Sequence, residues 1–257
     1  MYKILLSIIL FFLFCKNTHA LTLSPSTVNI ETIGGVPKNI SFTVYNETSQ
    51  SLNIKSYVWD LIIDKDGRKN IVKPNINNKN SISPYIQVQQ NDFIIKAKER
   101  KKVDAIINIP DKIKGGNIGL VLFEASPILK NGQSLVSIST RLGATVIQET
   151  KGTIKEKSRI TELNFNKESE SAPLNFRMNV LNEGNNFTKS SIMIGVLGED
   201  DTFYGSYSTD KRLVSPNSNA IFEKEIPLNL KKGNYNSVIT YTYNKKTITI
   251  NKPFQIK

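Results

Sequence analysis

Beyond its first twenty residues this chain has neither imidazole nor thiol, because its single histidine is His19 and its single cysteine is Cys15. Serine and cysteine nucleophiles paired with histidine are therefore excluded, nearly all zinc sites with them, and no disulfide contributes to stability. Carboxylates remain, but nothing singles out an opposed pair of the kind that glycoside hydrolysis needs. Asp64 and Asp66 begin a calcium-like pattern, yet the position of the closing glutamate is Asn75, so Asp64 to Gly67 reads as a tight turn. Gly34–Gly35 and Gly115–Gly116 lack the rest of any phosphate-cradling fingerprint. No catalytic residue, cofactor or metal is expected, and the chain reads as a non-enzyme.

Long apolar runs are scarce as well. The one at Ile4 to Phe14 follows Lys3 and precedes Thr18-His19-Ala20, a positive end, an apolar stretch and a small-x-small cleavage site. Residues 1–20 are thus expected to be a cleaved signal peptide, with the mature, exported chain starting at Leu21. The run is too short for a membrane span and no stop-transfer pattern follows, so no stable membrane span is expected. A lipoprotein acylated at Cys15 is the competing reading, against which the bulky residues Phe12 to Phe14 stand. Charge of one sign is in deficit: 34 Lys and Arg face 22 Asp and Glu, a formal net charge of +12. A field of that sign favours encounter with acidic partners and with anionic lipid or polysaccharide. Nucleic acid fits poorly, because an exported chain with no reading motif has little to recognise it with.

Helical periodicity is the last absence, and strands take its place. Leu21 to Ser24 reads as an edge segment broken by Pro25; Ile40, Phe42 and Val44 alternate with polar neighbours; Leu52 to Ile63 carries Trp59 into the Asp64–Gly67 turn. Residues 68–84, rich in Asn, Lys and Pro, are expected to form a long exposed excursion. Further strands are expected at residues 85–88, 93–95, 103–109 and 118–125. Trp59 reads as core, and Tyr204, Tyr207, Tyr235, Tyr241 and Tyr243 read as half-buried strand positions, with a carbohydrate platform as the alternative.

The second half repeats the plan of the first. Phe42 to Glu47, Ile109–Pro110 and Lys114 to Asn117 find counterparts, in order, in Met178 to Glu183, Ile226–Pro227 and Lys232 to Tyr235. The expected fold is all-β, two immunoglobulin-like sandwiches in tandem over residues 21–150 and 159–257, with 151–158 as linker. Ser134 to Ile147 closes the first module. Val136 and Ile138 alternate there with Ser137 and Ser139, Gly143 interrupts the run, and the segment beyond it is continuously apolar. One strand serving an accessible surface first and a core second is the reading; an ordinary internal strand is the alternative.

These features resemble the PapD-like periplasmic pilus chaperones: the signal, Leu23 to Asn29, Phe42 to Asn46, Ile107 to Pro110, and the Ser134–Ile147 strand closing the first of two modules. The resemblance implies that this closing strand lends alternating apolar side chains to an incomplete β-sandwich subunit of the pilin kind, by β-strand addition, with an outer-membrane usher as a further partner. Matched position by position, Val136 and Ile138 are the donating residues, with Leu142 on the same strand. The family holds the subunit's terminal carboxylate with two basic residues in the cleft, and those places here are Thr27 and Gly143. Arg141, on the strand face of Gly143, and Lys38, from a neighbouring strand, are the candidates to take over that role. An exported module that binds envelope polysaccharide or a surface or host component is the alternative function.

Overall fold

The computed structural model describes residues 21–75, 78–128, 139–167, 169 and 172–256. In the N-terminal half, β1 (Leu21–Ser24) and β2 (Thr27–Thr32) flank Pro25, where the chain passes from one sheet to another. β3 (Lys38–Asn46), β4 (Leu52–Ile63), β5 (Lys69–Val72), β6 (Ile86–Val88) and β7 (Asp92–Ile95) follow, then β8 (Arg100–Ile107), β9 (Gly116–Pro127) and β10 (Thr140–Thr150). One sheet has the order β1-β3-β8-β6; the other runs β2-β10-β9-β4-β5, with β7 also on β4. Period-two patterning decides which faces meet: Ile40, Phe42 and Val44 of β3 point inward while Asn39, Ser41 and Thr43 are exposed. Phe42 meets Phe123 of the opposite sheet edge to face at 5.7 Å, which centres the core between the layers.

The C-terminal half contains β11 (Ser158–Asn166), β12 (Leu174–Asn182), β13 (Thr188–Gly198) and β14 (Phe203–Ser208). It continues with β15 (Arg212–Val214), β16 (Ser218–Ile226), β17 (Gly233–Tyr243) and β18 (Lys246–Ile256). Its sheets are β11-β12-β16 and β14-β13-β17-β18, with β15 also on β13, so the protein is all-β with two stacked sandwiches. The internal repeat is structural too, since β1-β3-β8 matches β11-β12-β16 and β10-β9-β4 matches β18-β17-β13.

The repeated asparagine explains part of that repeat. Asn46 is fully buried and its amide donates to the carbonyls of Gln50, Ile95 and Lys96 at 2.7, 3.3 and 2.9 Å. Asn182 does the same for Asn186, Val214 and Ser215 at 2.8, 3.3 and 3.0 Å. Each ties a strand end to two loops and satisfies its own buried side-chain amide on their carbonyls.

One local expectation changes here. Residues 68–84 are not simply an exposed excursion: β5 extends the β4 hairpin, and Ile82 is fully buried in the core. The reason is Asp60, a buried carboxylate that takes hydrogen bonds from Ser81 Oγ at 2.5 Å and Asn75 N at 3.1 Å, which draws the segment inward. Burial pushes the Asp60 carboxyl upward, but the hydrogen bond from Ser81 and its neighbours outweighs this and holds it below the usual range. Gly143 marks a close approach: the β10–β9 register runs unbroken through it, and a Cβ there would meet the Leu120 and Leu122 side chains at 3.0 and 3.1 Å.

The outer face of the six-stranded sheet is also apolar. Leu61, Ile63, Ile118, Leu120 and Leu122 form a second cluster there, capped by Phe187 and Leu213 from the other module. The hairpin tip completes the seam: Ile221 N donates to Lys65 O at 2.8 Å and Arg212 Nη1 to Asp66 O at 2.7 Å. Gly67 at φ +78° lies against the Arg212 stem, where a Cβ would come within 2.5 Å of Cδ. On the other side, Gly116 N donates to Asn185 O at 2.8 Å.

Asn46→Ala and Asn182→Ala are each expected to cost about 3 kcal/mol, roughly 1 kcal/mol for each hydrogen bond lost. Urea unfolding checks this, and a midpoint unmoved in either variant would refute the stapling role.

Candidate partner-binding strand and interdomain cleft

β10 is flanked differently along its length. From Thr145 to Thr150 it pairs with β9 on one margin and, in parallel, with Thr27 to Thr32 of β2 on the other. From Thr140 to Ala144 only β9 pairs with it among the described residues, and β1 lies nearby in the opposite sheet without pairing to it. Thr145 N donates to Ser26 O at 3.0 Å, so by strand alternation Arg141 and Gly143 direct their N–H and C=O groups to that same, open margin. Burial changes with the flanking: Arg141 and Gly143 are exposed and Leu142 half-buried, whereas Ala144, Thr145 and Val146 are buried.

The residues singled out by sequence fall as follows. Val136 and Ile138 lie outside the described residues. Leu142 packs against the N-terminal core beside the open margin. Arg141 stands on the outer face, where its Nη2 and Nε bond Glu124 Oε2 at 2.8 and 3.1 Å and its guanidinium lies 5.7 and 5.4 Å from the Tyr57 and Trp59 rings. Its cation is thus already engaged. Lys38 opens β3 after the turn that leaves β2, at the Thr150 end of β10, so it and Arg141 sit at opposite ends of the strand. They do not form one pocket.

Tyr57 completes the outer-face cluster. Its hydroxyl donates to Glu124 Oε2 at 2.7 Å, and its phenol is pushed up to about 12, by burial first and then by that bond to an anion. Glu124 is held below the ordinary carboxylate range by the Tyr57 hydrogen bond first and by Arg141 second. Trp59, expected in the core, lies half-buried on this outer face instead. Of the tyrosines, Tyr235, Tyr241 and Tyr243 are buried, which leaves Tyr204 and Tyr207 as the reachable ones.

Thr27 lines a cleft of about 500 Å³ between the modules, together with Lys69, Ile147, Phe187, Lys189 and Lys211. Sequence reasoning missed these lysines. They come from β5, β13 and the approach to β15, far apart in the chain, and no local motif marks them.

No family model matches the sequence, and no curated protein matches it. Solved structures do match its fold. The class 5 fimbriae chaperone CfaA superposes with a TM-score of 0.50 at 14% identity, covering 90% of this chain and 98% of that one. The YadV chaperone superposes with a TM-score of 0.51 at 11% identity, covering 92% and 100%. The chain therefore has the two-domain β-sandwich fold of the PapD-like fimbrial chaperones, in a form divergent in sequence.

Glu124→Gln should return the Tyr57 titration from about 12 toward the ordinary 10.0, read by tyrosinate absorbance. Because folded Tyr57 keeps its proton past the pH at which an unfolded tyrosine loses it, its contribution to stability is present below about pH 10 and is lost as pH rises toward 12. A variant that titrates like the parent would remove Glu124 as a cause.

Proposed function

We propose that this protein is a non-enzymatic periplasmic chaperone that captures an incomplete β-sandwich subunit of the pilin kind and passes it to an outer-membrane usher. The partner's strand pairs with the open margin of β10, and Val136, Ile138 and Leu142, alternate residues of one strand face, fill the partner's gap. One observation carries the reading: Thr140 to Ala144 has β9 on one side and no strand on the other among the described residues. Unpaired main-chain groups beside a half-buried Leu142 are what strand addition uses, since backbone bonds supply affinity and alternate pockets supply specificity. Two solved structures of like fold are named as chaperones, one of them of fimbriae, which supports the same class of role. The signal-like N-terminus supports the compartment. Val136, Ile138 and Leu142 donate to the partner; Arg141 and its Glu124 and Tyr57 contacts hold the outer face of the strand in place.

The variant Val136→Asp/Ile138→Asp puts two carboxylates where the partner needs apolar groups. Its recovery of a co-purifying subunit from the periplasm should fall roughly a hundredfold, the scale for charges forced into a desolvated interface. Equal recovery by parent and variant would sink the assignment.

A further inference from the structure

The turn that joins β2 to β3, Ile33-Gly34-Gly35-Val36-Pro37, has no polar side chain. Surface turns are ordinarily built with Asn, Asp or Ser beside Gly and Pro, so that side chains meet water well. Here both corners are aliphatic and stand in solvent, Ile33 56% and Val36 53% exposed. Val36 N donates to Ile33 O at 3.1 Å, and Gly35 supplies the positive φ of the bend, +71°. A single exposed aliphatic side chain needs no explanation, but two on one turn that lacks any polar group do.

Neither side chain can fold away. Thr32 and Ile40, on either side, are buried in place, and Gly35 N donates to Ile109 O at 2.7 Å, which fastens this turn to a second one at Pro110–Ile113. The two turns are so close that a Cβ on Gly34 would come within 2.6 Å of Asp111 Cα. Ile113 N donates to Pro110 O at 3.0 Å, and the half-buried Ile113 side chain packs against the N-terminal core. The result is a rigid double tip with an apolar crown.

Lysines stand just behind the crown. Lys38 follows the first turn, Lys112 lies in the second and Lys114 follows it, all three exposed, and no carboxylate pairs with them among the described residues. The acidic groups nearby are Asp111, in the second turn, and Glu31, which lies 3.8 Å from Lys151. Aliphatic groups raised on a narrow tip with cations behind them reproduce the layering of a bilayer surface, hydrocarbon beneath an anionic headgroup layer. Lysine stems can follow the apolar layer while their ammonium groups reach phosphate. A formal net charge of +12 draws the whole chain toward such a surface.

From this we infer that the double tip docks on an anionic phospholipid surface, with Ile33 and Val36 entering the acyl boundary and Lys38, Lys112 and Lys114 meeting headgroup phosphates. Thr150 Oγ1 donates to Ile113 O at 3.2 Å, so the tip lies at the Thr150 end of β10, away from the open margin at Thr140 to Ala144. Lipid and a strand-adding partner therefore use different ends of the module, and the docking does not rest on subunit capture.

The chain from Leu21 onward has no cysteine, so Val36→Cys gives one attachment point for the polarity-sensitive dye NBD, and starting there removes the apolar Ile4 to Phe14 run. On vesicles of equal parts phosphatidylglycerol and phosphatidylethanolamine, the dye at Val36→Cys should brighten and shift to the blue. The same dye at Ile94→Cys, 55% exposed at the other end of the module, should not. Lys38→Gln/Lys112→Gln/Lys114→Gln should weaken co-sedimentation with these vesicles about a hundredfold, roughly fivefold for each lysine. Ile33→Asn/Val36→Asn should weaken it about tenfold with the circular dichroism of the parent, since both side chains are exposed. Lys69→Gln/Lys189→Gln/Lys211→Gln removes the same charge away from the tip and should change little; equal weakening by the two triple variants would mean a diffuse surface field and refute the site. An unmoved dye at Val36→Cys, or equal binding to phosphatidylcholine vesicles, would also overturn it. Should soluble polyglutamate shift that dye as the vesicles do, the tip serves an acidic protein and the lipid assignment falls. Val136→Asp/Ile138→Asp should bind vesicles like the parent, so loss of subunit capture and loss of lipid docking can be told apart.

Discussion

The open margin of the N-terminal module is set by where β2 joins β10. From Thr145 onward the strand is held on both margins; before it, one margin has hydrogen-bonding groups and no strand to meet them among the described residues. The join sets the length of the open margin, and the doubly flanked half makes it rigid. A free strand end would lose its ordering entropy on pairing with a partner, whereas a strand already fixed by β9 loses little.

The seam between the modules is the second consequence of one sheet being apolar on both faces. A sheet face bearing Leu61, Ile63, Leu120 and Leu122 has to be covered, and Phe187 and Leu213 cover it. The hairpin tip then docks through main-chain bonds at Lys65 and Asp66, with Gly67 leaving room for the Arg212 stem. Because that contact fixes how the modules meet, lysines from both of them line one trough.

Strand positions were largely legible, since a half-buried strand must alternate and the turns between strands are marked by Gly, Asn, Asp and Pro. β4 appears where Leu52 to Ile63 predicts it, and the Asn46 and Asn182 words of the repeat turn out to be paired staples. The segment before β6 was misread because its polar composition hides a partner: Ser81 belongs to Asp60, 21 residues away. Arg141 was legible as a cation on the right strand, but its pairing with Glu124 was not, because Glu124 reaches it from β9 through the register. The Trp59 face was misjudged for a related reason: a strand buried on both sides carries no alternation to say which side is the core.

The sequence by itself determined the class of fold, the doubling of the module and the exclusion of imidazole and thiol chemistry, because these follow from composition and short-range periodicity. Only the tertiary structure decided which margin of β10 stays open, that Arg141 and Lys38 stand apart, and that Lys69, Lys189 and Lys211 converge. Those facts rest on pairings between residues distant in the chain, and a pairing of that kind leaves its mark in space and not in any local pattern of residues.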